Sequence, residues 1–215
     1  MSQETVGTVV AAFDFDGTLT RRDTLKPFLA RGLGWPRFLL ALLRCSPWLA
    51  GYALRLLRND VAKQKLLLAT LGGRSTMEVA DWTSRWLAQD FPGQLRGDAT
   101  ARLAWHQQAG HCCVMVSASP DIYLARVAEQ MGFDGLICTE MAVESGRLTG
   151  WMRTPNCHGE QKALRLTAWM AARLGAEAAR QVTLYAYGDT SGDKPMLRMA
   201  THAWYKGRPW ADKRP

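Results

Sequence analysis

Three short runs of consecutive apolar residues, each followed directly by polar residues, constrain the fold of this chain more than any other feature. The runs are TVVAAF at 8–13, HCCVMV at 111–116 and VTLYAY at 182–187. Continuous apolar runs of this length, rich in β-branched and aromatic residues, are typical of strands buried on both faces. Each run therefore predicts an interior strand, and the polar residues after it predict a loop at the carboxyl end of that strand.

Helical patterns separate the predicted strands. Residues 120–131 follow Ser119, which we expect to be the N-cap, and the amphipathic pattern at 160–174 stops at Gly175. Alternating strands and helices predict an α/β fold with a Rossmann-like parallel sheet, in which ligands bind at the carboxyl ends of the strands. The three polar loops should therefore meet at one edge.

Residues 21–90 interrupt this alternation. They have a helical pattern throughout, so we predict a helical domain inserted into a core formed by residues 1–20 and 91–215. The insert also carries the basic charge, because residues 21–74 contain 11 Lys or Arg and two acids while the whole chain has a net charge of +8. Because the basic charge is confined to the insert, it should serve a contact made by the insert. We expect no nucleic-acid partner.

The most apolar part of the insert is WPRFLLALLRCSPWLAGYALRLLRND at 35–60. A transmembrane span needs about 20 uninterrupted apolar residues, but Arg44 and Pro47 lie in the middle of this run. We therefore predict two short helices joined at Ser46 and Pro47. Their Leu and Trp residues either pack inside the insert or rest on an anionic bilayer, where the arginines would contribute.

The composition favours a globular protein in a reducing compartment. A chain of 215 residues can form one domain with an insert, and contents of 47% hydrophobic and 21% charged residues are ordinary. Five cysteines without a C-x-x-C pair fit neither a disulfide framework nor a zinc site. Because the first residues lack a secretory signal pattern, we expect a cytoplasmic protein, with contact to the inner face of the membrane left open.

Acidic residues follow two of the predicted strands. Asp14 and Asp16 come after the first strand, and Asp189 and Asp193 after the third. Two carboxylates about 4 Å apart repel by about 4 kcal/mol at an effective dielectric constant near 20. Protonation of one carboxyl group, a bound cation or both must offset that repulsion. A hard divalent ion such as Mg²⁺ takes carboxylate and carbonyl oxygens as ligands and also recruits phosphate.

Two other positions could hold an anion. Ser117 and Ser119 precede a predicted helix, whose free N–H groups favour an anion, although each serine alone is equally explained as a cap. Lys162 lies early in its helix, where a positive charge opposes the helix dipole. A phosphate partner would account for this lysine, and a solvated lysine is the alternative.

Taken in order, these residues resemble the four motifs of the haloacid dehalogenase-like (HAD) phosphohydrolases. The motifs are DFDGTLT, VSAS, CHGEQKALRL and YGDTSGDKPML. The insert between the first and second motifs resembles the C1-type helical cap of subfamily IB, whose members are phosphoserine-phosphatase-like. It is also similar to the more hydrophobic insert of bacterial phosphatidylglycerophosphate phosphatases of this subfamily.

The resemblance implies hydrolysis of a phosphate monoester through an aspartyl-phosphate intermediate. Asp14 would attack phosphorus as the nucleophile. Asp16 would protonate the leaving oxygen and then deprotonate the attacking water. Ser117, Ala118 and Lys162 would bind the phosphoryl group and balance its charge. An Asp at the second position of the motif favours phosphomonoester hydrolysis, because an alkoxide leaving group needs a general acid.

The resemblance also implies Mg²⁺ as the cofactor. Asp14, the backbone carbonyl of Asp16 and Asp189 would hold the ion, with Asp193 as a direct or water-mediated ligand. The chain has Gly192 where phosphoserine phosphatases have Asn, and the insert lacks their pattern of Glu and Arg. The implied substrate is therefore a phosphoserine-like small molecule or a lipid phosphate. A phosphotransferase is an alternative, as is a catalytically idle HAD-like module that binds membrane or nucleic acid through its basic insert.

Overall fold

The central feature is a parallel β-sheet, seen here in a computed structural model that describes residues 8–211. The strands are β1 (Val9–Phe13), β2 (Cys112–Pro120), β3 (Gly135–Thr139), β4 (Met141–Glu144), β5 (Arg147–Met152), β6 (Thr183–Gly188), β7 (His202–Tyr205) and β8 (Arg208–Pro209). The sheet has the order β3-β2-β1-β6-β7-β8, while β4 and β5 form a separate hairpin. All pairs in the sheet are parallel except β7 with β8. The predicted fold class is confirmed.

Helices cover the sheet and form a separate group between β1 and β2. They are α1 (Leu25–Leu33), α2 (Trp35–Ala53), α3 (Asn59–Leu71), α4 (Thr76–Gln89), α5 (Gly97–Gln108), α6 (Asp121–Gln130), α7 (Glu160–Leu174), α8 (Ala176–Arg180) and α9 (Lys194–Arg198). We call residues 25–89, which contain α1 to α4, the helical segment. The segment is helical, as the sequence predicted.

The three predicted strands are β1, β2 and β6, which lie side by side at the centre of the sheet. One local prediction is wrong, because Ser119 does not cap α6. Strand β2 continues through Ser119 to Pro120, which pairs with Thr139 of β3 and is itself the N-cap of α6. The Ser119 hydroxyl bonds to Asp16 instead. The end of β2 is thus tied to the residues that follow β1.

Side chains alternate along β1 between two apolar cores, as the two-residue period of a strand requires. Ala11 and Phe13 belong to the larger core, which the helical segment shares, and Val10 and Ala12 belong to the smaller core with Leu166 of α7. All four strand residues are fully buried. Burial on both faces explains why this run contains no polar residue before Asp14.

Helix α2 corrects the prediction of two helices joined at Ser46 and Pro47. It is one helix of 19 residues with Pro47 inside it. Proline has no backbone N–H, so the carbonyl of Leu43, four residues earlier, loses its usual donor. The Ser46 hydroxyl donates to this carbonyl at 2.8 Å. This bond replaces the missing one and lets the helix continue past the proline.

An aromatic group joins the helical segment to the sheet side of the molecule. Phe28 of α1 stacks on Tyr123 of α6 with ring centroids 4.6 Å apart, and Trp86 of α4 packs edge-on against both rings. The segment therefore shares a core with the sheet. Between residues 8 and 211, no helix is both long enough and apolar enough to cross a bilayer.

His106 of α5 is a buried, neutral group whose charge state couples to folding. It is fully buried, with Nε2 at 2.8 Å from the Tyr187 hydroxyl and Nδ1 at 2.7 Å from Nδ1 of His111. Burial, together with the nearby His111 and Arg102, lowers the pKa of His106 from 6.5 to about 4. The unfolded chain therefore binds this proton at a higher pH than the folded chain does.

We expect acid to destabilise the protein through His106. Its contribution is fully present above pH 6.5 and is lost as the pH falls towards 4, at a total cost of about 3 kcal/mol. His106→Gln should flatten this part of the dependence when the free energy of unfolding is measured in urea across this range. His202→Gln, at an exposed position, is the control and should keep the wild-type slope. An unchanged slope in His106→Gln would contradict the assignment.

Candidate active site

The carboxyl ends of β1, β2 and β6 bring the predicted site residues to one edge of the sheet. Because neighbouring parallel strands end on the same side, the loops after them converge. A cavity of about 430 Å³ opens at this edge. It is lined by six of the predicted residues, namely Asp14, Asp16, Ser117, Ala118, Lys162 and Asp193. The remaining one, Asp189, lies beside Asp14 on the other side of Thr18.

A buried lysine joins two of the carboxylates. Nζ of Lys162, in the first turn of α7, lies 2.5 Å from Oδ1 of Asp14 and 2.5 Å from Oδ1 of Asp193. The three residues are 2%, 5% and 1% exposed. Burial disfavours the charged lysine, but attraction to both carboxylates outweighs burial and raises the pKa of Lys162 above its ordinary value. The lysine is therefore cationic.

The two carboxylates that share this lysine are not equivalent. Burial would raise the pKa of Asp193, but Lys162 and the donors of Thr190 overcome that effect and lower it. Oδ2 of Asp193 accepts the backbone N–H groups of Asp189 and Thr190 at 3.1 and 2.8 Å and the Thr190 hydroxyl at 2.8 Å. Asp193 is therefore a fixed anion.

The ionised form of Asp14 is stabilised by fewer hydrogen-bond donors than that of Asp193. Its burial raises its pKa well above the ordinary value, with Lys162 opposing this shift and Asp193 adding to it. One lysine cannot fully compensate two buried carboxylates, so the protonated form of Asp14 is more favoured here than that of an exposed aspartate. A divalent cation bound beside Asp14 would shift this carboxyl group to its ionised form.

The donor set for such a cation lies beside Asp14. Oxygens of Asp14, Asp189 and Asp193 lie within 4.8 Å of one another. The Thr18 hydroxyl is 3.2 Å from Oδ2 of Asp14 and 3.1 Å from Oδ1 of Asp189, and it can donate to only one of them at a time. Carboxylate oxygens crowded together with too few donors match the ligand preference of Mg²⁺. The residues present therefore fit a divalent hard cation.

Gly17 allows this crowding. Its φ of +83° favours glycine, and a Cβ at this position would lie 2.3 Å from Oδ2 of Asp189. A side chain at position 17 would therefore push Asp189 away from Asp14. Arg96 also holds the turn, since its Nη1 donates to the Gly17 carbonyl at 3.0 Å.

Asp16 occupies a different environment from Asp14. Its Oδ1 accepts the backbone N–H and the hydroxyl of Thr24 at 2.7 and 2.6 Å, and its Oδ2 accepts the Ser119 hydroxyl at 2.5 Å. Tyr123 lies 2.9 Å from the Thr24 hydroxyl and completes the network. Burial raises the pKa of Asp16, and the hydroxyl donors only partly offset this effect. The hydroxyl groups of Thr24 and Ser119 and the backbone N–H of Thr24 therefore hold this carboxyl group.

The predicted anion-binding residues are placed at the end of β2. Ser117 is buried, and its hydroxyl oxygen accepts the backbone N–H of Ser119 at 3.0 Å. The carbonyl of Ala118 accepts bonds from Lys63 and from the Thr139 hydroxyl. Both residues face the cavity that contains Asp14 and Asp16.

Lys63 of α3 is a site residue that the sequence analysis missed. Its Nζ reaches the Ala118 carbonyl and lies 2.9 Å from Oδ1 of Asn156. Burial lowers its pKa to about 8, although Asp16 and Asp23 favour its charged form. In the sequence Lys63 is one of many basic residues in the insert, and no motif marks it. Only the packing of α3 over the sheet edge brings it to the cavity.

His158 explains the glycine that departs from the phosphoserine phosphatase pattern. A Cβ at position 192 would lie 2.3 Å from Nε2 of His158. The imidazole therefore occupies the space that a side chain at position 192 would need. His158 also lines the cavity, and burial together with the nearby Lys162 lowers its pKa. His158 lies in the motif CHGEQKALRL, from which the sequence analysis selected only Lys162. Nothing in the sequence showed that this histidine also lines the cavity.

Lys162→Met should destabilise the protein by about 3–5 kcal/mol, because it leaves two buried carboxylates without their cation. The free energy of unfolding in urea at pH 7 with EDTA present would measure this loss. Asp14→Asn is the matched control and should change stability by less than about 1 kcal/mol, since a neutral amide relieves the repulsion from Asp193. Equal losses in both variants would show that Lys162 acts through packing and not through charge.

A family model and two curated relatives match this chain. The model of haloacid dehalogenase-like hydrolases matches residues 11–198. Protein CicA of Caulobacter vibrioides is 34% identical over 200 residues, which cover 92% of this chain and 86% of CicA. A Mycobacterium tuberculosis protein described as a probable phosphatase is 28% identical over 199 residues, which cover 90% of this chain and 67% of that protein.

A solved structure shares the fold. It is described as a phospho-aspartyl intermediate analogue of phosphoserine phosphatase, and it matches with a TM-score of 0.63 and 20% identity. The match covers 92% of this chain and 85% of the other. The likeness therefore includes both the sheet and the helical segment.

Proposed function

Because the chain belongs to the haloacid dehalogenase-like hydrolases, we propose that it is a Mg²⁺-dependent phosphatase that hydrolyses a phosphate monoester through an aspartyl-phosphate on Asp14. Residues 21–90 act as the cap over a core formed by residues 1–20 and 91–215. The relative described as a probable phosphatase supports the reaction class.

The observation that carries this proposal is the contrast between Asp14 and Asp16. Asp14 contacts a buried cation and lies within reach of two further carboxylates. Burial raises the pKa of both groups, but Asp16, two residues later, is held by hydroxyl groups, whereas Asp14 lies where a divalent cation would favour its ionised form. Two carboxyl groups in different environments suit two roles, an ionised nucleophile and a protonated acid.

In the first step, a carboxylate oxygen of Asp14 attacks phosphorus and the bond from phosphorus to the leaving oxygen breaks. Asp16 gives its proton to that oxygen, so an alcohol departs and Asp16 becomes a carboxylate. In the second step, Asp16 takes a proton from water as the water oxygen attacks phosphorus. The bond between phosphorus and Asp14 breaks, inorganic phosphate leaves, and both residues return to their starting states.

Lys162 and Ser117 bind the phosphoryl oxygens in this scheme. The lysine already lies against Asp14, so its charge is available where the phosphoryl group develops negative charge. The Ser117 oxygen accepts a backbone N–H, which leaves its own hydrogen to donate to a phosphoryl oxygen. Ala118 lines the cavity beside Ser117, and its carbonyl, which accepts bonds from Lys63 and Thr139, fixes the position of the chain there.

Asp14, Asp189 and the Asp16 carbonyl would hold Mg²⁺, which supplies positive charge to the phosphoryl oxygens and to Asp14. Asp193 is already saturated by Lys162 and by three donors from residues 189 and 190. Its contribution is therefore to orient that loop, to add negative charge near the ion and to bind the ion through water.

The cavity has both polar and apolar side chains for a leaving group. Asp23, Asn59 and Lys63 line it, and so do Leu25, Leu49 and Leu66. The polar groups can bind hydroxyl, amine or acidic substituents of a phosphorylated small molecule. The fold match to a phosphoserine phosphatase supports a small phosphorylated substrate. His158 fills the space beside Gly192, so the site should differ there from that of a phosphoserine phosphatase.

The purified protein should hydrolyse p-nitrophenyl phosphate in the presence of Mg²⁺ and lose the activity in EDTA. Asp14→Asn should abolish turnover, by about 10⁴-fold or more, because the nucleophile is gone. Its unfolding transition should remain cooperative. No turnover of any phosphate ester by the folded wild-type protein with Mg²⁺ would rule out the phosphatase and leave the idle module as the explanation.

Asp16→Asn should separate the two chemical steps. p-Nitrophenolate leaves without a general acid, so the variant should release it in a burst equal to the enzyme concentration. Turnover should then fall by about 10²–10⁴-fold, because no base activates the water. Stopped-flow absorbance measures the burst, and Asp14→Asn should show none. Loss of the burst in Asp16→Asn would contradict the role given to this residue.

A further inference from the structure

Exposed apolar side chains are concentrated in one part of the helical segment. Between residues 8 and 211, fourteen large apolar residues are exposed, and nine of them lie between positions 35 and 61. We call these nine residues the α2 patch: Trp35, Leu39, Leu40, Leu43, Tyr52, Leu54, Leu56, Leu57 and Val61. Single exposed apolar residues are normal, but such a concentration within one short stretch of chain marks a candidate interaction surface.

Helix α2 presents apolar residues on two sides. Phe38, Ala41 and Cys45 are buried against the rest of the segment. On the opposite side lie Leu39 and Leu43, four residues apart, and Leu43 is 69% exposed. A helix that is apolar on both sides is typically covered on both sides, so the outer face of α2 needs an occupant.

The charges around this face identify the kind of occupant. Arg37 and Arg44 are seven residues apart, which places them on one edge of the outer face, and Arg55 follows at the end of the helix. These three arginines have no ion-pair partner among the described residues, whereas Arg58 pairs with Asp60. An apolar face beside unpaired arginines is complementary to an anionic bilayer.

A second copy of the chain fits this face less well. A symmetric dimer through the α2 patch would bring the same arginines of both copies towards each other. Like charges in a closed interface are repulsive, and no carboxylate other than Asp60 occurs between positions 35 and 61 to offset them. Anionic lipid headgroups supply the missing negative charge.

The patch adjoins the cavity of the candidate active site. Leu49 and Tyr52 of α2 line that cavity, together with Asn59 and Lys63 at the start of α3. Tyr52 lies seven residues after the buried Cys45, so it is on the inner side of α2, where it lines the cavity. The helix that carries the outer apolar face is therefore also part of the cavity wall.

We propose that the α2 patch docks the protein on an anionic bilayer and that the site acts on phosphate monoesters presented at that surface. The second part rests on the proposed phosphatase function, whereas the docking itself does not. Apolar side chains enter the boundary between headgroups and acyl chains, and the arginines contact lipid phosphates. The protein needs no membrane-spanning helix for this attachment.

Sedimentation with lipid vesicles tests the docking. The wild-type protein should bind vesicles of phosphatidylcholine with about one third phosphatidylglycerol, bind less as the salt concentration rises, and bind pure phosphatidylcholine weakly. Leu43→Glu should weaken binding more than about tenfold, and Arg37→Gln/Arg44→Gln by about 30-fold. Leu164→Glu and Arg85→Gln, at exposed positions on α7 and α4, are matched controls and should bind as the wild type does.

No binding to the anionic vesicles at low salt would overturn the docking, and so would equal binding by wild type and Leu43→Glu. Light scattering provides a second measurement. A stable dimer that Leu43→Glu converts to a monomer would assign the face to a second copy and overturn the proposal. A wild-type protein that is monomeric without lipid supports it.

Activity assays separate the docking from the proposed function. With dioleoyl phosphatidic acid in the anionic vesicles as probe, Leu43→Glu should lower kcat/KM about tenfold or more. With p-nitrophenyl phosphate it should match the wild type, because Leu43 does not line the cavity. Vesicle binding without hydrolysis of either probe would contradict the phosphatase and support the docking. Equal hydrolysis of the vesicle probe by both proteins would overturn the docking and support the phosphatase.

Discussion

The buried contact of Lys162 with Asp14 and Asp193 is the interaction on which the site depends. It joins α7 to Asp14, which directly follows β1, and to Asp193 in the loop after β6, so both loops are placed relative to one ammonium group. Its charge balances only one of the two carboxylates, and Asp189 adds a third nearby. The fold therefore maintains a deficit of positive charge at this edge, and that deficit gives the edge its affinity for a cation.

Much of this arrangement could be predicted from the sequence. Apolar runs ending at Phe13, Val116 and Tyr187 indicated parallel strands, and the topology of such strands places their following residues together. The predicted fold, the family and the hydrolase class are confirmed, while the limits of the cap and the roles of the individual site residues stay predictions. The motifs were informative because their polar residues lie next to the ends of the strands in the sequence itself.

The unpredicted features depend on contacts between distant residues. Lys63 lies 55 positions before Ala118, and nothing in its neighbours shows that α3 crosses the sheet edge. Pro47 suggested a break between two helices, but the hydroxyl of the preceding residue supplies the lost hydrogen bond. Ser119 was expected to cap a helix and instead holds Asp16. In each case a polar side chain had several possible partners, and packing selected one.

The contact between Gly192 and His158 links two positions that belong to different motifs. Since the imidazole fills the volume that a side chain at 192 would occupy, a larger residue at 192 would displace the His158 ring. His158 lines the cavity and Gly192 does not. A replacement at position 192 would therefore change the shape of a cavity that this residue does not touch.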